Sequence, residues 1–329
     1  MKVVGLVESR DHVSCRYRLR AFEPYLKRQG WELELAPIPR GPLDRLRLFR
    51  RHRDADVVIL QRRLLHPVHL RLLRRSARRL IYDFDDALLY RDSYARKGPH
   101  SRRRAARFRR TVAAADLIIA GNAFLAEQAA RFCDAGKVAL VPTCIQTDLY
   151  PVRAERPART GLELVWIGSS STLQVIEQCG PLLEAVGRAV PGLRLRVICD
   201  RFPRFDAIPV IPCPWSAERE AGWLAEADAG FSWIPDDVWS RGKCGLKVLQ
   251  YMAAGLPVVA NPVGVHRELV EDRSSGSLVD REAEWVEAVR FLAADPPRRL
   301  AMGRRGRQIV EERYSVSRWA PVLERLLAL

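Results

Sequence analysis

The sequence predicts an α/β protein of two doubly wound domains, each a parallel sheet covered by helices on both faces. Short apolar segments alternate with helical patterns along the chain, and a segment with two prolines and no apolar periodicity, residues 151–160, divides this alternation into two cycles. The 329 residues suffice for about two domains. With 48% hydrophobic and 29% charged residues the composition is that of a globular protein, which excludes disorder and collagen-like structure.

The first cycle starts with an apolar run at residues 3–7, which is too short for a signal peptide and predicts a first strand. A helical stretch is predicted from Ser14 to Gly30. Runs or alternation of apolar residues predict further strands at residues 31–35, 56–60, 80–82, 117–120 and 138–141. Helical patterns predict helices at residues 67–79, 99–115 and 123–133.

The second cycle repeats this alternation after the linker. Strands are predicted at residues 162–167, 193–198, 229–234 and 257–260, and helices at residues 173–189, 217–226 and 246–254. The uncharged stretch 248–265 contains glycines and prolines, so it predicts a helix, a turn and a strand rather than a membrane span. We therefore expect an N-terminal domain over residues 1–150, a linker over 151–160, a second domain over 161–312, and a last helix within 313–329 that packs back on the first domain.

The net charge of +16 is unevenly distributed. Residues 1–150 carry 31 Lys and Arg against 16 Asp and Glu, whereas residues 151–329 carry 24 against 23. This asymmetry indicates different partners for the two halves. The chain has 49 arginines and only six lysines, a bias typical of genomic base composition, and two of the six lysines are Lys243 and Lys247.

Two segments of the second half have the composition of phosphate-binding loops. Open α/β sheets bind ligands beyond the carboxyl ends of their strands. Residues 168–172 (GSSST) follow a predicted strand, and their small side chains let backbone N–H groups approach an anion, although such a run is often only a helix N-cap. Residues 242–247 (GKCGLK) open a predicted helix, and Lys243 and Lys247, four apart, can aim at one spot; the alternative is two solvated lysines at a helix start.

The second half resembles a known family. Residues 242–265, followed by residues 267–270 and 276–279, resemble the donor-site signature of GT-B glycosyltransferases, most closely glycosyltransferase family 4 and its relatives. The resemblance extends over the second half through WIGSSST at residues 166–172, PWSAERE at 214–220 and EERYS at 311–315. In the first half it rests on residues 14–18, 83–86 and 141–142 with Asp148.

The resemblance implies a GT-B fold, in which two Rossmann-like domains face a central cleft. It implies transfer of a sugar, with retention, from a nucleotide diphosphate sugar to a cell-envelope, polysaccharide or lipid-linked acceptor. The nucleotide sugar is a co-substrate, and the resemblance implies no cofactor and no metal for donor binding. The family usually has two glutamates with seven residues between them where this chain has Gly242 and Gln250, and it has an Arg and a Lys near the first glycine loop that are missing here.

The resemblance also assigns roles to individual residues. The backbone of Gly245, Leu246 and Lys247 would hold the diphosphate, and Gly168 and Ser169 would close over it. The catalytic residues would be Lys243, Lys247 and Glu268, the last near the donor sugar. The donor-binding residues would be Gly168, Ser169, Ser170, Asp200, Ser216, Gly245, Leu246 and Gln250, of which Gln250 could bond a ribose hydroxyl.

An acidic cluster follows a predicted strand of the first half. Asp83, Asp85 and Asp86 are costly at a strand end unless they are solvated, paired or metal-bound. They could form a wall that binds acceptor hydroxyls, a structural set paired with arginines, or a metal site; we favour the first and expect no metal. Ser14, Arg16, Tyr17 and Arg18 follow the first strand and are acceptor-binding candidates by the same reasoning, unless they merely start a helix.

The excess positive charge of residues 1–150 indicates a polyanionic partner. The helices predicted at residues 67–79 and 99–115 have small apolar faces opposed by arginines, which predicts attachment to an anionic membrane surface. A nucleic-acid-binding protein and an inactive GT-B scaffold are the alternatives; aromatic side chains do not interleave the arginines, so nucleic acid is the weaker one. Seven cysteines, an odd number with no C-x-x-C spacing, predict a reduced, cytoplasmic protein, and no histidine pattern indicates metal ligands.

Overall fold

The chain folds into two compact units, and the computed structural model describes residues 1–152 and 161–329. Residues 153–160, most of the predicted linker, lie outside the described residues. The first unit contains Met1–Cys144, Asp236–Cys244 and Val316–Leu329, and the second contains Ile145–Pro235 and Gly245–Ser315. The division differs from the predicted domain bounds, because residues 145–150 belong to the second unit and a short segment of the second half, Asp236–Cys244, belongs to the first.

The first unit contains a six-stranded parallel sheet in the order β2-β1-β3-β4-β5-β6. The direction in which successive strands are added reverses between β1 and β3, and ligands bind at such a switch point beyond the carboxyl ends of the strands. The strands are β1 (Lys2–Val7), β2 (Glu32–Pro37), β3 (Val57–Gln61), β4 (Leu80–Phe84), β5 (Leu117–Ala120) and β6 (Val138–Leu140).

Alternate residues of these strands bury against helices on both faces of the sheet, as the predicted doubly wound domain requires. Val4 and Leu6 pack in one core cluster, and Val3 and Val7 pack in the other. The helices are α1 (Val13–Arg18), α2 (Glu23–Arg28), α3 (Pro42–Arg51), α4 (Pro67–Ser76), α5 (Arg102–Ala114), α6 (Ala123–Ala130) and the C-terminal α14 (Val316–Ala328).

The second unit contains another six-stranded parallel sheet, in the order β12-β11-β10-β7-β8-β9. This is the strand order of a Rossmann-like domain, with its switch point between β7 and β10. The strands are β7 (Glu163–Ile167), β8 (Arg194–Cys199), β9 (Val210–Pro214), β10 (Ala229–Ser232), β11 (Val258–Ala260) and β12 (Gly276–Leu278). The helices are α7 (Leu173–Gln178), α8 (Gly180–Ala189), α9 (Glu220–Ala225), α10 (Leu246–Ala253), α11 (His266–Leu269), α12 (Glu282–Ala294) and α13 (Pro296–Ile309).

Two of the predicted long helices are each broken. The stretch from Ser14 to Gly30 forms α1, a 3-10 turn and α2, and the stretch 173–189 forms α7 and α8. In each case a proline, Pro24 or Pro181, lies in the first turn of the second helix, because a proline cannot donate the backbone hydrogen bond that a continuous helix needs there. Within the described ranges, no helix is long and apolar enough to cross a membrane.

The C-terminal helix α14 belongs to the first unit and buries Val316, Ala320, Leu323 and Leu327 in its core. The Glu324 carboxylate accepts hydrogen bonds from Tyr25 Oη at 2.9 Å and from Trp31 Nε1 at 3.2 Å. The Arg79 guanidinium donates to the carbonyls of Leu326 and Leu327, at 2.8 and 2.6 Å. These bonds satisfy carbonyl groups that a helix end leaves without partners.

Candidate functional site

The loop after β7 starts with a glycine that no other residue can replace without movement. A Cβ at Gly168 would lie 2.3 Å from Trp166 Cη2 and 2.7 Å from Thr172 Oγ1. Ser169 and Thr172 form a capping box, so the N-cap interpretation of this run describes their side chains. Ser170 N donates to Asp200 Oδ1 at 2.6 Å, and the hydrogen bonds from Ser170 hold the pKa of Asp200 at about 2.

Lys247 brings a positive charge to this loop. Its ammonium donates to the carbonyl of Ile167 at 2.5 Å and lies 4.6 Å from the ring centroid of Trp166. Ile167 is the last residue of β7 and immediately precedes Gly168. The ammonium therefore lies at the carboxyl end of β7, a strand of the switch point, where an open α/β sheet binds its ligand.

The N-terminus of α10 depends on a second glycine. Gly245 is the N-cap residue with φ 68°, and a Cβ there would lie 2.2 Å from Leu269 Cδ1. Because the N-cap residue is a glycine, it offers no side-chain acceptor to the first N–H groups of this helix. Lys243 has an extended backbone (φ −69°, ψ 141°) and precedes the helix. Lys243 and Lys247 therefore do not share one helix, and their predicted convergence on one spot stays a prediction.

The other predicted donor-side residues have mixed environments. Gln250 is buried, and its amide donates to Tyr150 Oη at 3.2 Å. Ser216 Oγ accepts from Arg219 N at 3.3 Å in the turn before α9. Glu268 is exposed on α11. These roles stay predictions.

His266 is a residue of this site that the sequence did not indicate. Its Nδ1 lies 2.9 Å from the carbonyl of Asn261, and its Nε2 lies 3.1 Å from Ser232 Oγ. Burial lowers the pKa of His266 to about 4, so the ring is neutral at pH 7. Because a carbonyl can only accept, we assign the proton to Nδ1, and Nε2 then accepts from Ser232. His266 thus ties the ends of β10 and β11 to α11, whose Leu269 contacts Gly245.

The first unit contains what we call the arginine–aspartate cluster: Arg18, Arg62, Asp83, Asp85 and Asp86 with Lys243. At its buried end, Arg18 Nη2 lies 2.6 Å from Asp83 Oδ1, and the two side chains are 1% and 3% exposed. Gln61 Nε2 donates to the same carboxylate at 3.1 Å, and Arg18 also donates to the carbonyl of Val141 at 3.0 Å. Arg18 and Asp83 therefore form a buried ion pair, as the structural interpretation of the acidic cluster expects, and their predicted contact with an acceptor stays a prediction.

Arg62 connects three predicted acceptor-side residues. It follows β3, and its Nη1 donates to Ser14 Oγ at 2.7 Å and to Asp85 Oδ1 at 2.8 Å. Its Nη2 lies 2.5 Å from Asp86 Oδ2. Burial disfavours the charge on Asp85, but the attraction of Arg62 and then of Arg18, with a hydrogen bond from Ser14, holds the pKa of Asp85 below its ordinary value.

Lys243 completes the cluster from the segment Asp236–Cys244. Its ammonium lies 2.8 Å from Asp86 Oδ1 and 4.9 Å from the ring centroid of Trp239. Asn122 Nδ2 donates to the carbonyl of Lys243 at 2.9 Å. The cluster therefore contains three cations and three carboxylates. In the part of the chain that the structure describes, no group of three or more His, Cys, Asp or Glu side chains is arranged to hold a metal ion.

The remaining acceptor-side candidates lie on α1 beside this cluster. Ser14 and Tyr17 are buried, and the Arg16 guanidinium lies 5.3 Å from the centroid of the Tyr17 ring. Ser14 thus joins the cluster through Arg62, whereas Arg16 and Tyr17 contact each other through a cation–π interaction. Their roles toward an acceptor stay predictions.

Sequence comparison matches part of the chain to glycosyltransferases. Residues 179–325 match the family model described as glycosyl transferase-like. The D-inositol 3-phosphate glycosyltransferase of an Arthrobacter species is 36% identical over 93 residues, which are 28% of this chain and 21% of that relative. The match therefore spans about a fifth of the length of the curated relative.

Comparison with solved structures covers the chain almost completely. The sucrose-phosphate synthase of Thermosynechococcus elongatus superposes with a TM-score of 0.73 at 15% identity, over 99% of this chain and 97% of that one. The Anabaena protein HepE in complex with UDP gives a TM-score of 0.66 at 14% identity, over 100% and 99% of the two chains. The chain has the GT-B fold. A glycosyltransferase from Rickettsia africae agrees, with a TM-score of 0.72 at 11% identity over 99% and 97%.

These matches confirm the predicted resemblance to GT-B glycosyltransferases and fit the family 4-like signature. In this GT-B chain, the donor-side candidates Gly168, Lys247 and Gly245 belong to the second unit, and the acceptor-side candidates belong to the first. Lys243 belongs to the first unit as well. The sequence missed Arg62 and His266, because neither an arginine among 49 nor a lone histidine forms a pattern by spacing.

Proposed function

We propose that the protein is a glycosyltransferase that moves a sugar from a nucleotide diphosphate sugar to a hydroxyl group of a cell-envelope, polysaccharide or lipid-linked acceptor. We further propose that the reaction retains the anomeric configuration and requires no metal ion for donor binding. The matched family model and the UDP bound by HepE support a nucleotide-sugar donor. The name of the Arthrobacter relative supports a hydroxyl-bearing acceptor.

One observation carries the proposal: the Lys247 ammonium at the carboxyl end of β7, beside Gly168. The largest charge that develops during transfer from a nucleotide sugar is on the departing diphosphate. A positioned cation stabilises that charge more in the transition state than in the bound donor, which accelerates the reaction. The start of α10 at Gly245 adds N–H groups and the positive end of a helix dipole in the same unit.

A donor screen tests the proposed activity. The purified protein is incubated with UDP-, GDP-, ADP- and dTDP-sugars and a panel of methyl glycosides and lipid extracts, with and without EDTA, and products are followed by NMR. We expect one nucleotide class to be consumed equally with and without EDTA, and the product to keep the anomeric configuration of the donor. Absence of transfer and of hydrolysis from every donor would refute the activity, and an inverted product would refute retention.

Thermal shift separates this function from nucleic-acid binding. Nucleoside diphosphates and short oligonucleotides are compared as ligands in the same buffer. Because a ligand that binds the folded state raises the unfolding temperature, we expect stabilisation by one nucleoside diphosphate. Stabilisation by oligonucleotides alone would reverse the proposal in favour of a nucleic-acid-binding protein.

We also propose that the first unit attaches to an anionic membrane surface. Helices α3, α4 and α5 are neighbours and carry exposed arginines. Their N-terminal ends follow the carboxyl ends of β2, β3 and β4, and two exposed apolar side chains lie there: Leu43, 67% exposed, and Val68, 54% exposed. Arginines attract anionic lipid headgroups, with about 1 kcal/mol per suitably placed residue, and apolar side chains can enter the interface. The exposed arginines of this surface are Arg47, Arg50, Arg51, Arg71, Arg75, Arg102, Arg103, Arg104, Arg109 and Arg110.

Vesicle sedimentation tests this attachment. We expect binding to vesicles with anionic lipid at low salt, weaker binding at high salt, and further weakening in the double variant Leu43→Asn, Val68→Asn. The matched control is Leu149→Asn, an exposed leucine of the second unit, 60% exposed, which should bind like the wild type. Equal binding to neutral and anionic vesicles would overturn the proposal.

A further inference from the structure

Two non-glycine residues have a positive φ among those the structure describes: Arg62 at 56° and Arg273 at 58°. The left-handed backbone is strained for a residue with a side chain, and it persists where surrounding contacts enforce it. Such strain is concentrated at functional sites. The two arginines differ in their surroundings, because Arg273 is exposed in a loop of the second unit whereas Arg62 is half-buried at the carboxyl end of β3.

Contacts at both ends of Arg62 enforce its conformation. Its backbone N–H donates to the carbonyl of Asp83 at 2.8 Å, which pins the chain as it leaves β3 beside β4. Its guanidinium bonds Ser14, from α1, and both Asp85 and Asp86, which follow β4. Arg62 thus links the segments after β1, β3 and β4 at the switch point of this sheet.

Access to solvent changes along the cluster. The Arg18 and Asp83 side chains are closed to solvent, whereas the side chains of Arg62 and Asp85 are 18% and 13% exposed. A ligand can therefore reach the cluster at Arg62 and Asp85 but not at Arg18. A carboxylate has about four acceptor positions, so Asp85 can accept a hydroxyl proton while it is bonded to Arg62.

We propose that Arg62 is the positioning residue of the acceptor site. It holds the Asp85 carboxylate, in a fixed orientation, to accept a hydrogen bond from a hydroxyl of a polyhydroxylated acceptor, and it uses a strained backbone to do so. This inference rests on the proposed glycosyltransferase function. Arg62 forms no bond with the reacting atoms, so its loss should affect binding and orientation of the acceptor and leave binding of the nucleotide unchanged.

Three variants test this role: Arg62→Gly, Arg62→Lys and the matched control Arg273→Gly. Glycine relieves the positive φ at either position, but only the first removes contacts to carboxylates. Lysine keeps the positive charge but loses the two-pronged geometry of the guanidinium, so this variant separates the effect of that geometry from the effect of the charge. For each variant we would measure the acceptor KM and kcat with the best donor and methyl glycoside of the screen, the dissociation constant of the nucleoside diphosphate by calorimetry, and urea unfolding.

We expect Arg62→Gly and Arg62→Lys to lower kcat/KM for the acceptor about tenfold or more, as loss of a charged hydrogen bond does, with nucleotide affinity within about twofold of the wild type. Arg273→Gly should match the wild type in kcat/KM for the acceptor and in nucleotide affinity. Lower stability of the Arg62 variants with an unchanged acceptor KM and kcat would show a purely structural role and overturn the inference. If the wild type itself neither binds a nucleoside diphosphate nor transfers a sugar, the proposed function fails, and the inference falls with it.

Discussion

The Lys243 ammonium lies 2.8 Å from a carboxylate oxygen of Asp86, a residue 157 positions earlier in the chain. This ion pair gives the two lysines of the GKCGLK segment different environments. Lys243 balances a carboxylate of the first unit, whereas Lys247 lies beside Trp166 and the end of β7 in the second unit. The roles of both lysines toward a leaving diphosphate stay predictions.

A double-mutant cycle on Lys243 and Asp86 should show coupling. We expect Lys243→Met and Asp86→Asn together to destabilise the protein less than the sum of the single changes, by about 0.5–1 kcal/mol, because Lys243 is partly exposed and solvent screens the pair. Urea unfolding of the four proteins measures this. Additive effects would show that the pair contributes no stability.

Removal of the Arg18 guanidinium should be among the most destabilising changes in the first unit. Arg18→Met leaves Asp83 buried without its main partner, and we expect a loss of about 3–5 kcal/mol in the free energy of unfolding. Arg20→Met is the control, because Arg20 pairs with Asp11 at the surface and should change stability by less than about 0.5 kcal/mol. Chemical denaturation compares them, and equal effects would contradict a structural role for the buried pair.

Gly245, at the start of α10, should tolerate substitution by alanine less well than Gly30, which serves as its control. Both have a positive φ, but a Cβ at Gly30 meets no described atom within 4 Å, whereas one at Gly245 meets Leu269 Cδ1 at 2.2 Å. We expect Gly30→Ala to cost about 1 kcal/mol through the backbone alone, and Gly245→Ala to cost about 1–3 kcal/mol more through overpacking. Thermal and urea unfolding measure both changes. An equal loss of stability in the two variants would contradict the expected overpacking and would mean that Leu269 of α11 moves to accommodate the added methyl group.

His266 should make the folded state less stable in mild acid. Its pKa is about 4 in the folded protein against 6.5 in the unfolded chain, so the unfolded chain binds the proton more strongly between these values. The free energy of unfolding is therefore unaffected by this group above pH 6.5 and decreases as the pH falls toward 4, by up to about 3 kcal/mol. His266→Gln should flatten this part of the stability–pH curve. Parallel curves for the two proteins, from urea unfolding between pH 4 and pH 7.5, would contradict the assignment.

Much of the fold follows from local pattern. Apolar runs such as residues 117–120 predicted strands where the structure has them, and strand–helix alternation predicted parallel sheets. The strand β9 escaped notice because Pro212 and Pro214 interrupt its sequence, and at an edge position the sheet tolerates them. Apolar spacing alone predicted one continuous helix at residues 14–30 and one at 173–189. The structure has two helices in each stretch, with Pro24 and Pro181 in the first turn of the second helix.

The site was less predictable, because it depends on tertiary contacts. Glycine–lysine composition indicated Lys247, but nothing in the spacing separated it from Lys243, whose partner Asp86 is remote in sequence. Asp83, Asp85 and Asp86 were recognised as a cluster, and pairing with arginines was one of the interpretations. Which arginines pair with them was not predictable, because the positive φ that directs Arg62 toward Asp85 is imposed by its neighbours and has no local signature.

Calorimetric titration of UDP, GDP and ADP into the wild type and Lys247→Met tests the central claim most directly: that the second unit binds a nucleoside diphosphate at Lys247. Methionine keeps an apolar stem against Trp166 and removes the charge. We predict measurable affinity of the wild type for at least one nucleotide, a loss of about tenfold or more in Lys247→Met, and no change in the control Lys137→Met, an exposed lysine of the first unit. Equal affinity of Lys247→Met and the wild type, or no binding of any of the three nucleotides, would contradict the account.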